Sequence, residues 1–148
     1  MLKHWGLAAA ISIMAAAPAW AQSTPCGDEP IPPAVPSAAE MGLKNPGDAL
    51  KAKHQAFLDI KAWQAALKDY RDCLDADEGK NKREKHDAMT QSKPDQDKIK
   101  RLQGQIDANE HAYAVTKDTE ERVVNDFHAL TVAFCSRTDV DKTSCPKS

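Results

Sequence analysis

Residues 94–135 repeat with a period of seven. Ile99, Ile106, Tyr113, Glu120, Phe127 and Phe134 fall seven apart, and Leu102, Asn109, Thr116, Val123 and Leu130 form a second row offset by three. A ladder kept over five repeats fits one backbone only: an α-helix with a narrow seam that a second helix must cover in left-handed packing. The start is set by Ser92-Lys93-Pro94-Asp95. Proline suits a first helical turn, and Asp95 and Asp97 complement the positive end of the helix. Gly104 lies off the seam and weakens the helix only locally.

A partner is available upstream. Residues 49–76 contain no proline or glycine, and Ile60, Trp63, Leu67, Tyr70 and Leu74 recur at spacings of three and four, with Leu50 and Phe57 extending the stripe. This predicts an amphipathic helix about 40 Å long. Residues 77–93 carry almost no large apolar side chain and include Gly79 and Asn81; they read as a polar loop or a fraying helical extension. Joined as an antiparallel hairpin, the helices match best when facing positions sum to about 172. Leu74 then meets Ile99, Tyr70 meets Leu102, Leu67 meets Ile106, Ile60 meets Tyr113 and Leu50 meets Val123. Lys53 faces Glu120, the one acid of the seam. Phe127, Leu130 and Phe134 lie beyond this cover, where Met41 and Leu43 are available to shield them.

The N-terminal region has a different character. Residues 1–21 hold Lys3, an apolar run from Leu7, Pro18 and the small-residue site Ala19-Trp20-Ala21. These are the parts of a secretion signal cleaved before Gln22, and the run is shorter than the ~20 residues a bilayer span needs. Ser23-Thr24-Pro25 before Cys26 fits a lipoprotein processing site poorly. Residues 25–36 hold five prolines in twelve positions, which excludes helix interior and favours an extended, partly polyproline conformation. Ser37-Ala38-Ala39-Glu40 is a capping box that starts a short helix. Asn45-Pro46-Gly47 ends it, and Asp48 is placed to cap the first long helix. The expected fold is all-α: a coiled-coil-like antiparallel helical hairpin over residues 48–135, preceded by a Pro-rich segment with a short helix (22–47) and followed by a tail (136–148), the whole stapled by disulfides.

Cys26, Cys73, Cys135 and Cys145 lie past the cleavage site. Four cysteines in an exported chain suggest two disulfides, for which three pairings exist. Cys135 and Cys145 flank a polar stretch able to close a local loop, which would leave Cys26 and Cys73 to each other; spacing alone does not choose. No C-x-x-C occurs, and the intervals match no zinc pattern.

Cys26, Pro30 and Pro32, Ala39-Glu40-Met41, Tyr70-x-x-Cys73-Leu74, and Arg122-Val123 with Phe127 and Phe134 together form a sparse pattern across most of the chain after the leader. In it the chain resembles a group of small exported helical proteins of Gram-negative bacteria with no established function. The resemblance implies a Cys26–Cys73 bridge, with Cys135 and Cys145 as an added pair, and a mostly helical fold. It carries no activity, ligand or catalytic residue. Such a bridge would fold the proline segment back along the hairpin.

Few chemistries find a foothold. The formal charge of −2 leaves no positive excess to displace counterions from nucleic acid. His54, His86, His111 and His128 include no pair at helical metal spacing; Asp107 with His111 and Asn125 with His128 read as surface contacts. Nucleophile elbows, zinc-protease motifs and phosphate loops are absent from the sequence, so no cofactor, metal or catalytic residue is assigned. Asn109, Thr116 and Glu120 read as polar seam positions that fix register, and Trp63 as core. Lys80, Lys82, Arg83 and Lys85 form a basic knot that could touch an anionic envelope polymer or lipid. The function expected is non-enzymatic: a periplasmic or secreted protein acting through an unidentified protein partner, self-association or a structural role in the envelope. The alternative is an anionic-polymer or lipid binder using the basic loop.

Overall fold

A computed structural model describes residues 24–146; the secretion signal read over residues 1–21 lies outside the described residues. The order of elements is α1 (Ala38–Leu43), α2 (Pro46–Thr90), α3 (Gln96–Ser136) and a short 3-10 turn at Lys142–Ser144. No strand occurs among the described residues. The long helices α2 and α3 pack along each other as an antiparallel hairpin, with α1 docked on α3. At 45 residues, α2 is a rod of about 68 Å. Among the described residues no helix is long and apolar enough to cross a membrane.

Local chemistry sets the helix ends. The capping box of α1 forms as predicted: the Glu40 backbone N–H donates to Ser37 Oγ, and the Ser37 N–H donates to the Glu40 carboxylate. The start of α2 differs from expectation. Asn45, not Asp48, is the cap, its Oδ1 accepting from the Asp48 N–H at 2.9 Å, and Pro46 opens the first turn. The missing N–H of proline costs nothing there, so the triplet that follows the end of α1, as expected, also starts α2. Asp95 caps α3.

The polar stretch over residues 77–93 is the larger correction. It is not a loop: α2 continues through it to Thr90. Pairs one turn apart support the backbone, Lys82 with Glu78 and Lys80 with Glu84, and Asn81 and Ala88 are buried against α3. Each surface pair adds only about 0.3–0.5 kcal/mol. Tertiary cover by α3 supplies what propensity lacks.

With α2 longer, the register moves. Lys53 lies over the Phe134 ring, Phe57 packs on Phe127, and Asp77 bonds Asn109. Facing positions thus sum to about 186, two heptads from the predicted 172. A shift by two heptads returns seam to seam, so hydrophobic matching cannot tell the two apart. Polar matching can. In the predicted register Asn109 would face Trp63 and Thr116 would face Ala56, leaving buried polar groups without partners at about 1–3 kcal/mol each. Lys53 accordingly does not meet Glu120. Phe127, Leu130 and Phe134 do not overhang; the first turns of α2 cover them.

The core lies toward the base, the end opposite the α2–α3 turn. Met41, Ala49, Ala56, Leu130 and Phe134 form one buried cluster, and Ile60, Trp63, Leu67 and Val123 another, with Val35 and Phe127 packed against both. Met41 shields Leu130 and Phe134 as expected, whereas Leu43 points outward, 89% exposed. Each large side chain fully buried here contributes about 1.5–3 kcal/mol.

Two disulfides, Cys26–Cys73 and Cys135–Cys145, each with a Cα separation of 5.8 Å, staple the chain. The first fixes the proline-rich segment antiparallel to α2. A turn at Thr24–Gly27 leads in, where Gly27 adopts φ 79°, a conformation glycine takes without a Cβ clash. The Trp63 indole donates to the Pro30 carbonyl at 3.0 Å, and Val35 reaches the base clusters. Ten residues of extended strap span about 28 Å, close to the ~25 Å of α2 between Cys73 and Ala56.

Candidate functional site

A two-helix rod has two lateral grooves, and they are used differently. One is covered by the strap between Ala56 and Cys73. The other runs past Phe57, Gln64 and Arg71 on α2 and Tyr113, Glu120 and Phe127 on α3, and holds the molecule's densest polar chemistry midway along. The Arg71 guanidinium donates through Nε to Thr116 Oγ1 at 2.8 Å and through one terminal nitrogen to Glu120 Oε2 at 2.6 Å. Gln64 Nε2 donates to Glu120 Oε1 at 2.9 Å. Tyr113 lies under the guanidinium, 5.6 Å from ring centroid to cation. Hydrogen bonding from Arg71, opposed by burial and aided by Gln64, holds the Glu120 carboxyl below the usual carboxylate range. The other terminal nitrogen of Arg71 is buried without a partner among the described residues.

Toward the α2–α3 turn, Asp77 Oδ2 accepts from Asn81 Nδ2 at 2.8 Å and Asn109 Nδ2 at 2.9 Å. Asn109, Thr116 and Glu120, the three polar seam positions, are therefore all engaged with α2. Their geometry fixes which turn of one helix faces which turn of the other; it presents no free nucleophile or acid–base pair.

At the base the open groove widens. The tail crosses the C-terminal end of α3 as a ring closed by Cys135–Cys145. Arg137 donates to the carbonyls of Met41 and Lys44 at 2.6 and 2.9 Å, satisfying the exposed end of α1. Lys142 caps the carbonyls of Cys135 and Arg137. Between this tail and the helices lies a trough of about 400 Å³, bounded by Leu50, Phe57, Phe127, Thr131 and the tail at Thr143, Ser144, Cys145 and Pro146. Lys53 reaches into it, donates to the Ser144 carbonyl and covers the Phe134 ring at 5.0 Å. Burial lowers the Lys53 pKa from its ordinary value.

The predicted basic knot is brought together only in part: Lys82 and Lys85 line one open pocket of about 260 Å³ with Gln103 and Glu110. Lys80, Lys82, Arg83 and Lys85 sit on α2 instead of a loop, and helical geometry turns Lys80 and Lys82 to opposite sides. Lys82 pairs with Glu78 and Glu110, Lys80 with Glu84, and Lys85 donates to Gln103. His54, His86, His111 and His128 are all exposed. Trp63 is core, 6% exposed. Among the described residues no group of three or more His, Cys, Asp or Glu side chains is arranged to hold a metal ion.

Reading the sequence in the shorter register missed both the Arg71 cluster and the trough. The available signal was that Phe57, Gln64, Arg71, Glu78 and Lys85 also fall seven apart, a flanking row on α2 parallel to the ladder on α3.

Comparison with known proteins finds no matching family model, no similar curated protein and no similar solved structure.

Proposed function

We propose that this chain is a non-enzymatic protein of the periplasm or the secreted space that acts through protein–protein contact, as a stapled rod holding a binding surface away from its base. The observation that carries this reading is the unequal use of the hairpin. Both hydrophobic clusters, both disulfides, the strap and α1 lie at or below Cys73. Above it α2 and α3 run on for about 25 Å, with Leu74, Ala88, Leu102 and Ile106 as the buried apolar residues. An extension that adds little to its own core serves by its reach and its surface. The two disulfides suit an oxidising compartment, and the sequence of residues 1–21 suits export. The polar clusters of the seam are occupied with one another, which leaves the outer faces of the rod to meet a partner.

The test is site-specific photo-crosslinking in cells, with the reactive side chain at Met89, exposed near the far end, and at Ala38 near the base, combined with fractionation. The expected result is a discrete protein adduct from Met89 in the periplasmic or secreted fraction and none from Ala38. A chain retained in the cytoplasm, or one giving no adduct at Met89, overturns the reading.

A further inference from the structure

The trough at the base combines three features that the rod itself does not need. Its walls are largely apolar, with His54 at the edge: Leu50 and Phe57 remain 40% and 44% exposed beside the core, and Phe127 is part-buried. Phe57 and Phe127 lean on each other at 6.2 Å between ring centroids and form one side of the opening. Its cation is unbalanced: Lys53 is part-buried and engages a backbone carbonyl and a ring face, and no carboxylate lines the trough among the described residues. Lys68, Lys80 and Lys82, all more exposed, each have an acid within reach. Finally, Thr131 lines the same trough, and its hydroxyl, withdrawn from solvent, has no hydrogen-bond partner among the described residues.

We infer that this trough is a binding site for a single-chain amphiphile with a carboxylate head, the acyl chain lying on Leu50, Phe57 and Phe127 and the head meeting Lys53 Nζ. An ammonium that gives one proton to the Ser144 carbonyl keeps two for a carboxylate. A charge-assisted bond of this kind is roughly twice as strong as a neutral one. Desolvation already disfavours the Lys53 charge, and an incoming anion relieves that penalty. The volume of about 400 Å³ falls within the roughly 300–1,000 Å³ of small-molecule sites. The Cys135–Cys145 ring holds the tail wall in place, so the site belongs to the oxidised protein.

The experiment is calorimetric titration of the oxidised mature chain with sodium dodecanoate below its micelle concentration, with dodecanol as the uncharged comparison and light scattering on the same samples. Dodecanoate is expected to bind one to one, and dodecanol at least tenfold more weakly. Lys53→Met should lose at least tenfold in dodecanoate affinity and bind the two probes alike, while Lys53→Arg restores the preference for the anion. Phe57→Ser should weaken both probes, and circular dichroism identifies any variant that has lost its helix. No saturable binding, equal binding of dodecanol to the parent chain, or an unchanged Lys53→Met overturns the proposal. A dimer in the ligand-free sample that Phe57→Ser abolishes also overturns it, by assigning the trough to a second copy of the chain.

Discussion

The two ends of the hairpin solve the same packing problem by different means. Toward the base, α2 and α3 meet through Ile60, Leu67, Val123, Leu130 and Phe134, and a strap and a short helix cover one flank. Toward the turn the same two helices meet through Asn81, Ala88 and Asn109 alongside Leu102 and Ile106, with no third layer among the described residues. The first arrangement stabilises by removing apolar surface from water; the second stabilises less and specifies more. A buried amide bonded to a carboxylate is worth about 1.5–3 kcal/mol net, and leaving either partner alone forfeits this and adds a desolvation cost. The apolar end thus supplies cohesion and the polar end supplies alignment.

Amide hydrogen exchange is the sharpest way to break this contrast. Amides around residues 60–67 and 123–134 should exchange only through global unfolding, and those around residues 80–100 at least about a hundredfold faster, because local opening is cheapest where little apolar surface is buried. Uniform protection along α2 would remove the distinction between the ends.

Core truncation should be nearly as revealing. Phe134→Ala empties the base cluster and is expected to cost about 3–5 kcal/mol in denaturant unfolding, whereas Ala88→Gly near the turn should cost about 1 kcal/mol. Similar midpoint shifts for the two would mean that the ends are equally loaded.

Replacing Cys26 and Cys73 together by serine should destabilise by about 4 kcal/mol on the chain-entropy model, against about 3 kcal/mol for Cys135 and Cys145, whose loop is shorter. The first variant should also shift Trp63 emission to longer wavelength as the strap leaves the indole, a change the second should not produce. A blue-shifted or unchanged emission would mean that the strap stays docked without its bridge.

Asn109→Leu tests alignment against cohesion. It removes one of the two amide partners of Asp77, the one on α3, while adding apolar surface, and the expected net loss is about 1–2 kcal/mol together with a second register two heptads away, read as an added distance between spin labels on the two helices. A single sharp distance would show that the Arg71 cluster holds the register alone.

The smallest effect concerns acid. Glu120 has its folded-state pKa held below the ordinary 4.5, chiefly by its hydrogen bond from Arg71. Its contribution is therefore fully present above that ordinary value and is lost as pH falls through the lower folded-state value. The carboxylate is part-exposed, so the slope should be shallow. Unfolding measured between pH 5 and 2 should show Glu120→Gln with a flatter dependence than the parent chain.

Much of this architecture is legible in the residues. The ladder from Ile99 to Phe134 announces α3, Ser37 with Glu40 announces α1, and Ile60 to Leu74 announces the middle of α2. The far third of α2 is hidden, because its helix rests on turn-spaced ion pairs and on burial of Asn81 and Ala88, neither of which leaves an apolar period. Register is hidden for another reason: a seven-residue repeat matches itself after any whole number of heptads, and only polar residues such as Asp77 and Asn109 break the tie. The trough is hidden behind that same ambiguity, since assigning Lys53 to Glu120 leaves it no reason to be noticed. The Pro-rich segment shows itself as extended, but that Trp63 would hold it through the Pro30 carbonyl depends on a meeting across thirty-three positions.

The bonding of Asp77 to Asn109 also separates what lies above from what lies below. Inserting seven residues into each helix between that pair and Pro94 would restore every facing relationship and push the turn outward by about 10 Å. Nothing at the strap, the disulfides or the tail would sense the change. The molecule is thus built like a telescoping mast on a fixed footing, its height adjustable in whole steps while its anchorage stays the same.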